Sequence, residues 1–182
     1  MRKLVFSINI SLDGVADHKV AIADDELHDF STHLMDTVDT VLFGRVTYQL
    51  FEGYWPVAYQ DPHATKSVLR FADRINAVPK VVFSNTIQAA GWNNTQLVKG
   101  DVVKEVQMMK QGTGGHLSAG GISLLQTLLK ANLIDEYWLL VQPVIWGKGR
   151  RLFEGGYDRT DLKLIDSMTF KSGVVVLHYS SG

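Results

Sequence analysis

Cysteine is absent from the 182-residue sequence, and only four prolines occur in it. The lack of cysteine excludes disulfide bonds, thiolate nucleophiles and cysteine-ligated metal ions. The prolines are dispersed and no linker-like segment divides the chain, so we predict a single domain over residues 1–182. Because no His-Glu-x-x-His pair or comparable spacing of ligands occurs, we expect no metal site.

The chain also lacks a large net charge and a long apolar run. Its 18 basic and 19 acidic residues give a formal net charge of −1. Proteins that bind nucleic acid or anionic membranes have a strong basic excess, so the charge indicates a small-molecule partner. The apolar run before Asp13 is too short for a signal peptide or a membrane span. We therefore expect a soluble cytoplasmic protein without a nucleic-acid or membrane partner.

Glycine stands at two junctions between a predicted strand and a predicted helix. Gly120 and Gly121 follow an apolar strand, and Ile122 begins the next helix. Gly44 follows the strand that ends at Phe43 in the same way. A glycine after a strand often makes only a tight turn, but free N–H groups at a helix start bind phosphate well. Two such junctions suggest a dinucleotide site, although neither has the spacing of the G-x-G-x-x-G or P-loop motif.

The pattern of apolar residues predicts an alternation of strands and helices. We expect strands over 4–10, 40–43, 80–84, 94–98, 116–119 and 136–141, with helices over 24–36, 46–51, 65–72, 102–110 and 122–131. Two further strands, over 162–169 and 174–180, flank a turn at 171–173 and predict a hairpin. The fold class is therefore α/β, with a mostly parallel mixed sheet that ends in an antiparallel C-terminal hairpin.

Several segments together resemble a known family. They are residues 11–14, 44–48, 53–56, 80–86, 114–121, 133–137 and 142–153. In these segments the chain resembles the dihydrofolate reductase-like family, whose fold has three α/β/α layers. Within that family it is most similar to the stand-alone bacterial homologues of the reductase domain, the C-terminal part, of the bifunctional riboflavin-biosynthesis deaminase-reductase. The chain begins at the first strand and has no zinc ligands, so we expect no deaminase domain.

The resemblance implies an NADPH-dependent oxidoreductase. It implies hydride transfer to a pterin or an aminouracil-type nitrogen heterocycle, and the nearest named activity is 5-amino-6-(5-phosphoribosylamino)uracil reductase of riboflavin biosynthesis. The alternative is a non-catalytic module that binds or senses NADP(H). A homodimer is also expected, because a second copy would cover an exposed edge of the sheet.

The resemblance also assigns the cofactor-binding positions. They are Gly14, Gly44, Arg45, Thr47, Ser84, Asn85, Thr86, Gly120, Gly121, Ile122 and Ser123. Residues 44–47 and 120–123 would bind phosphates, and residues 84–86 would hold the adenosine end. An ion pair with a carboxylate is the alternative role for Arg45. The loop over 13–16 matches the mobile loop that closes over nicotinamide, where Asp13 is either a catalytic residue or a turn residue.

Substrate recognition is where the sequence departs from the family. Dihydrofolate reductases place a carboxylate on the first helix to hold the pterin. Counting back from Gly44 places this position near His28, with Asp29 beside it. His28 is thus a candidate proton donor, with a surface histidine as the alternative. Thr32 lies one helical turn further on the same face.

Three aromatic residues could stack on a flat substrate. Tyr48, Phe51 and Trp55 are candidates for stacking on a heterocycle, with core packing as the alternative for each. The glycine-rich and basic segment 147–151 could likewise bind phosphate, but the resemblance marks it as a conformational motif with solvated charges. We expect the acidic pair Asp135 and Glu136 to be structural.

Overall fold

The computed structural model describes residues 1–155 and 158–182, and this part of the chain forms eight strands and five α-helices. The strands are β1 (Leu4–Ser11), β2 (Val38–Gly44), β3 (Lys80–Phe83), β4 (Thr95–Val98), β5 (His116–Gly120), β6 (Glu136–Gln142), β7 (Leu162–Thr169) and β8 (Val175–Ser181). The helices are α1 (Asp25–Leu34), α2 (Arg45–Glu52), α3 (Lys66–Ala77), α4 (Val102–Gln111) and α5 (Ile122–Lys130).

All strands belong to one mixed sheet with the order β4-β3-β2-β5-β1-β6-β8-β7. The first six strands in this order pair in parallel, and β8 and β7 add an antiparallel hairpin. The predicted α/β sheet with its terminal hairpin is thus confirmed. The main element that the sequence did not predict is a 3₁₀ helix over Trp55–Gln60, in the segment after α2.

Helices cover the sheet on both faces, so the fold has three layers. On one face, Val106 of α4 and Leu125 and Leu128 of α5 pack against inward residues such as Leu42. On the other face, Phe71 and Ile75 of α3 pack against residues that include Phe43. The strands at the centre are buried on both sides, which explains their nearly continuous apolar sequences. In the part of the chain that the structure describes, every helix is too short or too polar to cross a membrane.

The register of the parallel strands brings the predicted glycine junctions together. Phe43 at the end of β2 pairs with Gly120 at the end of β5, and Gly44 pairs with Phe83 at the end of β3. Because parallel strands end at the same edge of a sheet, the chain leaves β2, β3 and β5 side by side.

The acidic pair Asp135 and Glu136, at the start of β6, is structural, as expected. Glu136 contacts Lys3 Nζ at 2.7 Å and His178 Nε2 at 3.1 Å. The carboxylate of Asp135 accepts a hydrogen bond from the backbone N–H of Leu4 at 2.6 Å and one from Nζ of the buried Lys110 at 2.5 Å. The Lys110 Nζ also donates to the carbonyl of Leu133 at 2.6 Å. These contacts tie the end of α4 to the starts of β1 and β6, far from the strand ends described above.

Two loops that follow β1 and β6 are hydrogen-bonded along their length. The N–H of Leu12 donates to the Val144 carbonyl at 2.8 Å, and the N–H of Ala16 donates to the Arg150 carbonyl at 3.0 Å. In the opposite direction, the N–H of Leu152 donates to the Gly14 carbonyl at 2.8 Å. We refer to residues 12–17 and 143–153 together as the paired loops.

Asp13 holds the centre of the paired loops. Its carboxylate accepts hydrogen bonds from the Ser11 hydroxyl at 2.7 Å and from the N–H groups of Trp146 at 2.9 Å and Gly147 at 3.0 Å. These three bonds favour the ionised form and lower the pKa of Asp13 to about 2. Close by, a Cβ on Gly149 would lie only 2.9 Å from Val15, so this glycine lets the loops touch.

We expect Asp13→Asn to lower the thermal midpoint of the protein at neutral pH, because an amide cannot replace a charged acceptor of two backbone N–H groups. The pKa of Asp13 is lower in the folded than in the unfolded chain, so the folded state binds fewer protons between pH 4 and pH 2. The stabilisation is therefore present above about pH 4 and is lost as the pH falls toward about 2.

The check is the difference in thermal midpoint between wild type and Asp13→Asn, measured from pH 7 down to pH 2. The difference should narrow below about pH 4. Asp166→Asn is the control, since within residues 1–155 and 158–182 the Asp166 side chain accepts a hydrogen bond only from the neighbouring Ser167 N–H. A difference that stays constant with pH, or that equals the difference for Asp166→Asn, would contradict the role of Asp13.

Candidate functional site

The N-termini of α2 and α5 leave their first N–H groups without a side-chain cap. The N-cap residues are Gly44 for α2 and Gly121 for α5, and neither helix has an acidic residue in its first turn. In contrast, side chains of Asp24, Thr65 and Asp101 cap the other three α-helices. Free N–H groups and the positive end of the helix dipole make both starts suitable for phosphate.

Glycines keep the space above these helix starts open. A Cβ built on Gly44 or on Gly120 would meet no atom within 4 Å. At Gly121 the backbone has φ +99°, and a Cβ there would overlap the hydroxyl of Thr47. Glycine at 121 therefore allows α5 to approach α2, while the other two leave room for a ligand along the backbone.

Arg45 lies in the first turn of α2 and points into solvent. Its Nη1 donates to the side-chain amide oxygen of Gln49 at 3.2 Å. Within residues 1–155 and 158–182 it forms no ion pair with a carboxylate, so the structure does not support that alternative role. Its guanidinium retains donors for an anion at the α2 N-terminus.

The segment after β3 forms a tight turn beside the start of α2. The hydroxyl oxygen of Ser84 accepts from the N–H groups of Thr86 at 3.2 Å and Ile87 at 3.1 Å. Asn85 and Thr86 are exposed. Ser84 thus shapes the turn with its oxygen, and the next two residues expose their polar side chains to solvent.

In the structure Asp13 has the contacts of a turn residue, because its carboxylate accepts hydrogen bonds within the paired loops. Its three hydrogen bonds and its pKa of about 2 keep the carboxylate ionised at neutral pH. Gly14 has φ +79° and lies in the same loop. The segment 13–16, expected to be a mobile loop, is hydrogen-bonded to the loop after β6 instead.

His28 is buried on α1, so it is not the surface histidine of the alternative interpretation. It is 8% exposed, and its ring packs edge-on against Trp55 with 6.1 Å between centroids. Its Nδ1 lies 2.7 Å from the carbonyl oxygen of Asp24. A carbonyl only accepts, so Nδ1 carries a proton, and Nε2 is the atom that remains for another partner.

The neighbours of His28 have other roles. Asp29 is exposed, and its carboxylate forms an ion pair with Arg70 of α3. The hydroxyl of Thr32 donates to the His28 carbonyl at 2.8 Å, so Thr32 is on the predicted face but its proton serves the helix. Of the predicted catalytic residues, only His28 keeps a free atom for proton transfer.

The three candidate aromatic residues are buried to different extents. Tyr48 is 1% exposed and belongs to the core, where its hydroxyl donates to Glu52 at 2.7 Å. It therefore has no face for a substrate, and core packing is its role. Phe51 and Trp55 are half-buried at the margin of the same core, and only Trp55 touches His28.

Arg150 is a residue that the sequence reasoning placed among solvated charges. Its Nη1 donates to the hydroxyl of Ser123 at 3.1 Å, and its Nη2 donates to the side-chain oxygen of Gln126 at 3.1 Å. The guanidinium therefore lies over the first turns of α5. Only the fold brings the two segments together, because 27 residues separate Arg150 from Ser123.

Comparison with known proteins finds a sequence relative of similar length and solved structures with the same fold. The uncharacterized protein YyaP of Bacillus subtilis (strain 168) is 30% identical over 182 residues, which cover 98% of this chain and 94% of that protein. Dihydrofolate reductase from Enterococcus faecalis, solved with NADP(H), has a TM-score of 0.63 at 14% identity, and the match covers 99% of this chain and 96% of that one.

A diaminohydroxyphosphoribosylaminopyrimidine deaminase/5-amino-6-(5-phosphoribosylamino)uracil reductase from Thermotoga maritima has a TM-score of 0.66 at 16% identity. That match covers 100% of this chain and 57% of the other. At such low identities the two solved structures show a common fold. The model of the RibD C-terminal domain matches residues 2–176. Because this match spans nearly the whole sequence, the chain belongs to the RibD C-terminal domain family.

Proposed function

We propose that this protein is an NADPH-dependent reductase that transfers a hydride to an aminouracil-type nitrogen heterocycle. The observation that carries the proposal is the pair of uncapped, glycine-initiated helix N-termini, set side by side where β2 and β5 end. Membership of the RibD C-terminal domain family supports it, as does the fold shared with a reductase solved with NADP(H).

The residues present fit this cofactor. The space over Gly44 and Gly120 is open, so a ligand could lie along the backbone there, and the free N–H groups beside it would bind phosphates. Bound NADPH would supply the hydride, so the protein needs neither a nucleophile nor a metal of its own. The chain's task is then to hold two flat rings in contact and to keep water away.

The polar groups after β3 favour NADPH over NADH. Many NAD sites place a carboxylate at this position to bind the ribose hydroxyls, whereas this chain has Ser84, Asn85 and Thr86. Arg45 stands beside this segment because Gly44 and Phe83 pair. A 2′-phosphate would find a guanidinium and hydroxyl donors here, without a repelling carboxylate.

On the substrate side, we assign proton donation to His28. Its Nδ1 donates to the Asp24 carbonyl, which fixes the ring and leaves Nε2 to carry and release the proton. Trp55 packs against the ring and provides an aromatic surface at the same place. A flat heterocycle that stacks near Trp55 would meet Nε2 at its edge.

The second candidate is a module that binds or senses NADP(H) without turnover. It shares the phosphate-binding helix starts, and it is favoured by the absence of a carboxylate at the position of His28 on α1. The two candidates differ only in turnover, which the His28 experiment below measures separately from cofactor binding.

A test of the cofactor site is Gly120→Ala. The added methyl group enters open space, so we expect an unchanged thermal midpoint and a dissociation constant for NADPH that rises about tenfold or more. Quenching of tryptophan fluorescence measures the constant, with NADH titrated in parallel and expected to bind wild type more weakly. Gly53→Ala, at the end of α2 away from both helix starts, is the control, because its added methyl group would make only ordinary contacts with neighbouring carbonyl oxygens. If wild type and Gly120→Ala bind NADPH with equal affinity, the open space at Gly120 is not part of the cofactor site.

A test of catalysis compares His28→Gln with Asp29→Asn. We expect His28→Gln to lower turnover of 5-amino-6-(5-phosphoribosylamino)uracil with NADPH by about 100-fold or more, as for a lost general acid. Affinity for NADPH should stay the same. Asp29→Asn should keep turnover, since it breaks only the ion pair with Arg70. Full activity of His28→Gln would refute the proton-donor role. A wild type that binds NADPH but turns over neither the aminouracil nor dihydrofolate would favour the sensing module.

We also propose that two copies associate through β7. This strand lies at the outer edge of the sheet, and all eight of its residues are exposed. Leu164 and Ile165 are each 52% exposed, which is unusual for an edge that stays unpaired. Antiparallel pairing with β7 of a second copy would satisfy its free backbone groups and cover these side chains.

Light scattering during size-exclusion chromatography tests the association. We expect wild type to elute with twice the chain mass and Leu164→Lys to elute as a monomer, because the charge would be buried at the centre of the interface. Met108→Lys is the control, since Met108 is 56% exposed on α4 away from this edge. A monomeric wild type, or a dimeric Leu164→Lys, would refute association through β7.

A further inference from the structure

Arg150 is held over the N-terminus of α5 by two neutral acceptors. Its two terminal nitrogens donate to the Ser123 hydroxyl and to the Gln126 side-chain oxygen, both at 3.1 Å. Ser123 is the second residue of the helix, so the guanidinium lies within the first two turns. It retains further N–H donors, because a guanidinium carries five.

A cation at this place is unfavourable in the free protein. The N-terminus of a helix carries a partial positive charge, and α5 has no acidic residue in its first turn to offset it. Within residues 1–155 and 158–182, Arg150 forms no ion pair with a carboxylate. Two sources of positive potential therefore converge where an anion would relieve the repulsion between them.

The backbone of Arg150 is hydrogen-bonded, as its guanidinium group is. Its carbonyl accepts from the N–H of Ala16 at 3.0 Å, and Gly149 before it packs against Val15. Asp13 fixes the same loop through the N–H groups of Trp146 and Gly147. The guanidinium is thus presented by a loop held at several points, so little side-chain freedom remains to be lost when an anion binds.

We propose that Arg150 binds the pyrophosphate of the dinucleotide and completes the phosphate site formed by Gly120, Gly121 and the start of α5. This inference rests on the proposed function, since it names a further residue for the same cofactor. It differs from the role of Arg45, which lies at the other helix start, beside the turn that follows β3. A pyrophosphate is common to NADPH and NADH, so Arg150 should contribute equally to both.

The test is titration of wild type, Arg150→Gln and Arg150→Lys with NADPH and, separately, with NADH. We expect Arg150→Gln to raise both dissociation constants by the same factor, about 10- to 100-fold, as for a lost charged hydrogen bond to phosphate. The dissociation constants of Arg150→Lys should lie between those of wild type and Arg150→Gln, because lysine keeps the charge but lacks the planar guanidinium group. The thermal midpoint of the free protein should not fall, since only neutral contacts are lost.

Arg159→Gln is the charge-matched control. This arginine is exposed and pairs with Asp161 just before β7, so both affinities should stay at their wild-type values. Weaker binding of NADPH alone would mean that Arg150 contacts the 2′-phosphate, and it would overturn the proposal. The proposal would also be overturned if Arg150→Gln bound both nucleotides as tightly as wild type. A fall in the thermal midpoint of Arg150→Gln large enough to explain weaker binding would overturn it as well. If wild type binds neither nucleotide, the proposed function fails too, whereas failure of this inference alone leaves wild-type binding intact.

Discussion

The pairing of β2 with β5 is the contact on which the candidate site depends. It pairs Phe43 with Gly120 and places the start of α5 against Thr47 of α2, while the pairing of β2 with β3 sets Gly44 beside Phe83. A slip of one residue would shift the strand ends by about 3.3 Å. It would also exchange Leu42 and Phe43 between the two core faces. The cores on both faces therefore fix the register, and the register fixes the distance between the two helix starts.

The paired loops add a second level of order to the same edge of the sheet. In a fold whose first loop is expected to move, Asp13 and the strand-like contacts of residues 12–17 join that loop to the one after β6. One consequence is that residues 12–17 and the segment that carries Arg150 are held by the same hydrogen bonds. A displacement of either loop would therefore break contacts of the other.

The elements of the fold could be predicted because their signals are local. Alternating apolar patterns, the glycines after β2 and β5, and the turn before β8 each act within a few residues. Side-chain roles depended on distant partners instead. The N–H donors to Asp13 lie 133 and 134 residues away. Tyr48 and Trp55 are similar aromatic residues in sequence, yet only the packing of α2 against Trp92 decides that Tyr48 is buried.

The contacts of Lys80 also depend on tertiary packing and could not be predicted from the sequence, although the strand that contains Lys80 was predicted correctly. It is 1% exposed, and its Nζ donates to the carbonyls of Ile75, Asn76 and Val78 at the end of α3. Burial lowers the pKa of Lys80 to about 8. The strand pattern predicts a residue at this position but cannot reveal that its ammonium group satisfies the last carbonyls of a helix, because that depends on how α3 packs on the sheet.

The identity of His28 bears on the substrate class. A carboxylate on α1 accepts two hydrogen bonds at once, which suits the adjacent N–H donors of a pterin. With its Nδ1 committed to Asp24, the imidazole of His28 offers one atom, which either accepts or donates a single hydrogen bond. Such a group cannot replace a carboxylate as a two-point acceptor, but in its protonated form it suits one carbonyl oxygen. The loss of this two-point acceptor counts against a pterin as the substrate of the proposed reductase, whereas a carbonyl oxygen of an aminouracil needs only the single donor that His28 can offer.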